Sequence, residues 1–339
     1  MRKIFGALIL SLAIVLILLS LSELKDVAET LRRSNLWFLL GAFALELLWL
    51  YNMAVSYRLL YQLVGLEERT SHLFLVVAAA DFVNVVAPSA GLGGMAVFLD
   101  DARQRNHASG KVTVGGAVFL LLDYAAFICV LVLGMIALIR RNNLPPSAIG
   151  AALILLGIAS VLAFLVYLGY RSADELGKAL AWMARLVNRL VRPFLRRAYL
   201  SEQRAYEYAH EMAEGFAELR GKRREFILPF LYALNSKALL ICILMVTFLA
   251  FSTPFSVGLL VGSFSIAYLF LIVSPTPSGV GFVEGTLTIA LGSLGVPLGT
   301  ATLIALTYRA VTFWFPLGLG AIAFRLLQSK PQKSSDEGG

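Results

Sequence analysis

What most constrains this chain is a series of apolar runs, each about as long as an α-helix needs to cross a bilayer. Roughly 20 mostly apolar residues, at about 1.5 Å rise each, span the hydrocarbon layer. Such runs occupy 4–21, 36–64, 112–139, 148–170, 226–251 and 300–327 of the 339 residues. One or two soluble cores cannot enclose that much apolar surface. Charge agrees: only 15% of residues are Asp, Glu, Lys or Arg, against about 25% in soluble proteins. Disorder, collagen-like repeats and a disulfide-stapled scaffold are excluded on the same grounds. Run 4–21 follows Arg2 and Lys3 and reads as a span, with a cleaved signal peptide ending near Ser20-Leu21-Ser22 as the alternative. The expected fold class is an all-α polytopic membrane protein.

The charges set a topology. Twenty of the 50 charged residues fall within 171–225, twelve of them Lys or Arg. Basic segments are retained on the cytoplasmic side, so this block, Arg2/Lys3 and the tail with Arg325, Lys330 and Lys333 should share that face. The net charge of +8 has this explanation and not nucleic acid, because no basic stripe is interleaved with aromatics. Cys129 and Cys242 sit inside apolar runs and read as packing residues. Six full spans meet these constraints if two further stretches, 73–99 and 255–294, each enter and leave on one face. Both are apolar and broken by Pro and Gly. The first should dip in from the cytoplasm and the second from outside. Residues 36–139 and 226–327 then form an inverted repeat within a membrane domain covering 1–330.

A weak internal similarity supports the repeat. Pro88, Gly91 and Gly93 stand at one expected hairpin tip; Pro275, Pro277, Gly279 and Gly281 stand at the other. Asp123 follows the first tip as Arg309 follows the second, and each precedes a glycine, Gly134 or Gly320, by 11 positions. The block 171–225 is an insert. Leu176, Leu180, Met183, Val187, Leu190 and Phe194 recur at helical spacing among arginines, as in a basic amphipathic helix on an anionic membrane. A second amphipathic helix starts near Ser201, so a helical hairpin packed on the domain is the other reading. The tail 331–339 reads as disordered.

Ionisable groups inside membrane runs are costly, so each marks a candidate site. They are Glu46, Arg58, Asp81, Asp123, Lys237, Glu284 and Arg309. Arg58 lies near a span end, where it is expected to snorkel. Asp123 and Arg309 carry opposite charges at equivalent places; they either form an ion pair or line one polar cavity. Residues 274–285 read SPTPSGVGFVEG. Two prolines there stop the helix, and irregular backbone survives at membrane depth only where protein or water satisfies it. The helix resuming near Phe282 therefore turns free N–H groups inward, an arrangement that attracts anions such as phosphate. Glu284 falls in its first turn, either as a cap or as a partner for a cationic headgroup or coupling proton. Asn84 to Gly94 repeats the arrangement with Asp81 nearby.

These motifs resemble a flippase-like integral membrane family, related to YbhN-like proteins and to the membrane half of lysylphosphatidylglycerol synthases (MprF). The resemblance covers nearly the whole chain. It rests on the Pro-Gly tip after Asn84, Asp123 in its span, Pro-x-Pro-x-Gly-x-Gly-x-x-Glu ending at Glu284, and Tyr308-Arg309 followed by Phe315-Pro316-x-Gly318. It implies a lipid translocase with two re-entrant hairpins. The sequence departs at Gly94, where many relatives carry an acidic residue, and at Phe119-Leu120, where many carry Glu-Arg. The synthases' soluble domain has no counterpart in these 339 residues, so aminoacyl transfer is not expected from this chain.

Enzyme signatures are lacking. His72, His107 and His210 have no metal-ligand spacing, no G-x-S-x-G elbow occurs, and Gly215 to Arg223 only imitates a P-loop. Neither metal nor cofactor is expected. Gly258/Gly262 and Gly281/Gly285 are small-residue pairs that allow close helix packing. The expected function is translocation of an anionic, aminoacylated or glycosylated lipid. Arg309 and Lys237 would receive phosphate, while Glu284, Asp123, Asp81 and Glu46 balance charge or take an amine or proton. A membrane subunit of a lipid aminoacyl- or glycosyl-transferase system and a small-solute secondary transporter are the alternatives. Expected partners are a membrane phospholipid or glycolipid and a separate lipid-modifying enzyme, with a homo-oligomer allowed and no nucleic acid. The expected location is the cell membrane, with both termini cytoplasmic.

Overall fold

The structure, a computed structural model, describes residues 34–86, 92–195, 201–274 and 276–329. The expected span 4–21, the tip residues Pro88, Gly91 and Pro275, and the tail 331–339 lie outside the described residues. The described chain is helical, without strands. Helix α1 (Leu36–Leu63) starts at Asn35, whose side chain accepts from the Trp37 amide at 3.1 Å. Then follow α2 (Thr70–Val86), α3 (Leu92–Gln104) and α4 (Ser109–Arg140). Proline at the first turn opens α5 (Pro146–Arg171), where a missing N–H costs nothing. The insert holds α6 (Ala173–Leu195) and α7 (Glu202–Glu218). A short turn, Arg223–Phe226, leads into α8 (Ile227–Ala250). After α9 (Val257–Val273) and the turn Pro277–Gly279 come α10 (Phe282–Ser293) and α11 (Leu298–Arg309). A π-helical turn, Ala310–Trp314, joins α11 to α12 (Phe315–Ser329).

Five segments are long and apolar enough to cross a membrane: α1, α4, α5, α8 with its leading turn, and Leu298–Ser329 taken as one. They coincide with five of the six expected runs, with ends differing by a few residues. The remaining apolar helices are shorter. At about 1.5 Å per residue, even the 17-residue α2 and α9 reach only about 26 Å, short of the roughly 30 Å hydrocarbon core. Each packs on its successor, giving two helix–break–helix pairs, α2–α3 and α9–α10.

The two halves interlock. Helix α1 lies along α8, where Asn52 donates to the Tyr232 carbonyl at 2.9 Å and accepts from Asn235 at 2.7 Å. Helix α2 packs along α12 and α9 along α4, so each half's broken pair leans on the other half's last helix. Both contacts use a glycine that the sequence had singled out. A Cβ at Gly320 would overlap the Ala78 carbonyl, and one at Gly134 would overlap Ser265. One core gathers Leu73, Phe82 and Phe216; the other gathers Phe127, Phe248 and Phe264.

The insert is a helical hairpin packed on the domain. Helix α7 meets α4 so closely that Gly110 touches the Glu211 backbone, and Gly169 of α5 receives Phe216. Lys222 donates to the Leu63 carbonyl at 3.0 Å. The outer face of α6 leaves Trp182, Leu186 and Val187 exposed beside Arg185 and Arg189.

Candidate functional site

Four of the seven intramembrane ionisable residues form two buried ion pairs. Lys237, midway along α8 and 1% exposed, donates to Asp123 Oδ1 and Oδ2 at 2.7 and 2.8 Å. It also donates to the Tyr268 hydroxyl at 2.6 Å and lies over that ring, 4.2 Å from its centroid. Tyr268 in turn donates to Asp123 at 3.4 Å and is wedged against Phe127 and Phe264. Buried charges are tolerated when paired and hydrogen-bonded in this way.

Arg309 ends α11, directly before the π turn. Such single turns widen a helix locally and recur at functional sites. Here the turn ends at Trp314, two residues before Pro316, which has no N–H to continue a regular ladder. Arg309 Nε donates to Glu284 Oε1 at 2.7 Å, and Nη2 donates to the Ser278 carbonyl at 3.0 Å. Its guanidinium stacks over Phe313 at 4.4 Å. The tip it holds is an unusual piece of backbone. Ser278 has φ 48°, and Gly279 and Gly281 have φ 71° and 73°. Ser278 thus occupies the left-handed region without being glycine, a conformation that persists only when surroundings fix it. Gly279 is obligatory for a second reason, since a Cβ there would overlap Val283.

Of the two arrangements open to Asp123 and Arg309, an ion pair or a shared polar lining, the ion pair does not form. Lys237 takes Asp123 and Glu284 takes Arg309. Nor does Glu284 cap α10, because its Oε1 serves Arg309 and no side chain caps that helix. Glu284 Oε2 is buried and has no hydrogen-bond partner among the described residues. Arg58 is exposed and donates to Thr70 at 3.2 Å, as a residue at a span end should.

Glu46 and Asp81 complete the cluster. Glu46 is fully buried on α1, and neither carboxyl oxygen has a hydrogen-bond partner among the described residues. Trp49 Nε1 on the same helix and Thr307 Oγ1 on α11 are also buried and unpartnered there. Asp81, on α2, is partly exposed. Packing brings these groups together: α2 lies on α1 and against the Pro277–Gly279 turn that Arg309 holds, and α1 meets the π turn after Arg309. Four carboxyl groups therefore share one neighbourhood with two cations.

Several contributors were missed in the sequence. Tyr268 is one; a lone tyrosine in an otherwise apolar helix was the available signal. Asn84, named there only as the start of a motif, also contributes: its Oδ1 accepts from the Gly94 amide at 2.6 Å. A Cβ at Gly94 would overlap the Asn84 side chain. At the end of the α2–α3 pair away from its break, His72 meets Asp101 at 2.9 Å, while Glu68 accepts from Arg105 and lies 3.7 Å from His107. Among the described residues no three His, Cys, Asp or Glu side chains converge to hold a metal. A separate apolar cavity of about 310 Å³ opens between α4 and α5, floored by Phe216 and Leu219 and rimmed by Tyr170 and Arg223.

Comparison with known proteins agrees with the motif resemblance. Residues 6–320 match the family described as lysylphosphatidylglycerol synthase TM region. A UPF0104 membrane protein of Methanothermobacter thermautotrophicus is 24% identical over 318 residues, covering 93% of this chain and 92% of that protein.

Proposed function

Because this chain belongs to the family of lysylphosphatidylglycerol synthase TM regions, a family of polytopic membrane proteins, we propose that it is a lipid translocase. The observation that carries the reading is Arg309. A buried guanidinium is held by one carboxylate and one strained carbonyl at the break between two helices too short to span. Moving a charged headgroup through hydrocarbon costs from several up to about 15 kcal/mol, judged from charged side chains at the bilayer centre. A fixed cation at mid-depth lowers that barrier if it can exchange partners. A headgroup phosphate matches the guanidinium fork as Glu284 does. Its arrival displaces Glu284 and loosens the Ser278 turn.

Lys237 is a poorer receiver than the sequence implied. Three contacts, to Asp123 twice and to Tyr268, already satisfy it. We assign it to fixing α8 against α4 and α9, leaving Arg309 as the exchanging cation. The cross-packing of α2 on α12 and of α9 on α4, with Gly320 and Gly134 in matching roles, supports two inverted halves. In this arrangement α2–α3 re-enters from the cytoplasm and α9–α10 from outside. The basic insert and both termini are cytoplasmic, in the cell membrane. The apolar cavity between α4 and α5 suits an acyl chain with its headgroup near Arg223. The activity is transport without bond-making, and a separate enzyme would modify the lipid.

The test is transbilayer movement of fluorescent phosphatidylglycerol in vesicles containing the purified protein. Movement should exceed that in protein-free vesicles and fall in Arg309→Ala and Glu284→Ala. A rate equal to empty vesicles, or full rates in both variants, sinks the reading.

A further inference from the structure

Four carboxyl groups and two cations do not balance. Asp123 is matched by Lys237 and Glu284 by Arg309, which leaves Glu46 and Asp81. We infer that Glu46 and Asp81 form a proton site, in which Glu46 holds a proton in this conformation and passes it to Asp81 during the transport cycle.

The argument begins with Glu46. It is 0% exposed, and both oxygens lack a hydrogen-bond partner among the described residues. An ionised carboxylate in that position would be an uncompensated charge in an apolar core, whereas the neutral acid is tolerated. The charged and titratable groups on the surrounding elements do not relieve it. Asp81 on α2 and Glu284 on α10 are acidic, and Asp123 on α4 is engaged by Lys237 of α8. Tyr268 on α9 is held by that same pair, and Arg309 on α11 is held by Glu284 and Ser278. Tyr308, at the end of α11, offers only a phenol, and the π turn against α1 contributes no ionisable group. A metal ion does not fit, because no three ligating side chains converge there among the described residues. The positive charge that fits is a proton.

Asp81 is the natural exchange partner. It lies on α2, which packs against α1, and is partly exposed, whereas Glu46 is sealed. The transfer balances simply: the Glu46 O–H breaks, an O–H forms on the Asp81 carboxylate, and Glu46 becomes the carboxylate. The transfer also neutralises Asp81, on the helix that packs against the Ser278 turn held by Arg309. Proton position and partner exchange are thereby linked. That coupling rests on the translocase reading, but the proton on Glu46 does not.

Two measurements separate these claims. Infrared spectra of the full-length protein in detergent at neutral pH should show a protonated-carboxyl C=O stretch that is lost in Glu46→Gln. The variant should melt near wild type, because glutamine is the neutral isostere. No such band in wild type, an unchanged band in the variant, or a Glu46→Gln chain that fails to fold would each overturn the site. In vesicles loaded with fluorescent phosphatidylglycerol, an imposed gradient of one pH unit should speed movement several-fold, against a limit of about ten-fold per proton. Glu46→Gln and Asp81→Asn should each abolish the acceleration. Lipid movement indifferent to the gradient overturns the coupling and spares the translocase; a proton band without lipid movement overturns the translocase and spares the site.

Discussion

Lys237 of α8 grips both carboxylate oxygens of Asp123 on α4, at 2.7 and 2.8 Å, although 114 residues separate them. The pair joins the second half of the chain to the first, and Lys237 is almost completely buried. Removing one member leaves the other as an unpaired buried charge, a loss of about 3–5 kcal/mol. Asp123→Ala and Lys237→Met should each lower the unfolding free energy by that amount. Asp123→Leu combined with Lys237→Met should recover most of it, because well-packed apolar residues replace such pairs at little cost. Unfolding in mixed detergent micelles reads the outcome; a double variant as unstable as the single ones would contradict the pairing.

Arg309 differs from Lys237 in using its fork. Nε serves Glu284 and Nη2 serves the Ser278 carbonyl, two directions that one ammonium cannot reproduce. Arg309→Lys keeps the charge but should lose one arm, worth about 1.5–3 kcal/mol for a hydrogen bond to a charged group. If transport depends on that geometry, the rate should fall roughly ten-fold or more. The check is lipid movement beside thermal stability. A lysine variant with wild-type transport would show that charge alone suffices.

The sequence exposed those parts of the fold that need no knowledge of tertiary contacts. Five spans were legible because about 20 apolar residues suffice to define one, and the restart of α10 at Phe282 followed from prolines and glycines with few alternatives. Which charges pair was not legible. Asp123 had two cations to choose from, and only the packing of α8 on α4 decides for Lys237. Gly134 and Gly320 were visible as a repeated spacing, but their partners Ser265 and Ala78 appear only once the halves interlock. Tyr268 escaped notice because a tyrosine in an apolar run reads as packing until a lysine is found on its ring. Glu46 was legible as a buried acid, yet its lack of a hydrogen-bond partner among the described residues is a property of the assembled core.

The insert carries a pH-dependent contact outside the membrane segments. Asp174 at the start of α6 accepts from Lys178 at 2.6 Å and from the Tyr206 hydroxyl of α7. The Lys178 hydrogen bond, then that of Tyr206, holds its carboxyl below the usual aspartate value. A folded value below the unfolded one means that the contact stabilises above the ordinary aspartate range and is lost as pH falls through the folded value. The site is on the surface, so the effect should be local. Hydrogen exchange in α7 around Tyr206, corrected for intrinsic rates, should quicken on acidification. Asp174→Asn should exchange at the faster rate already at neutral pH; equal protection in variant and wild type would remove Asp174 from the hairpin's hold.

Two glycines two residues apart on α12 offer a controlled test of how the halves meet. At Gly320 a Cβ would overlap the Ala78 carbonyl and the Phe82 Cβ of α2, whereas at Gly318 nothing lies within 4 Å. Backbone cannot swing away as a long side chain can, so Gly320→Ala must push α12 off α2. Overpacking of this kind costs about 1–3 kcal/mol. Gly318→Ala faces no such neighbour and replaces the poorest non-proline helix former, a gain of up to about 1 kcal/mol. The two substitutions should therefore shift the melting temperature in opposite directions. Transport should follow Gly320→Ala downward, since α2 carries Asp81 and any shift moves it relative to Arg309. Two variants that melt alike would mean that α2 and α12 are not in this contact in the membrane.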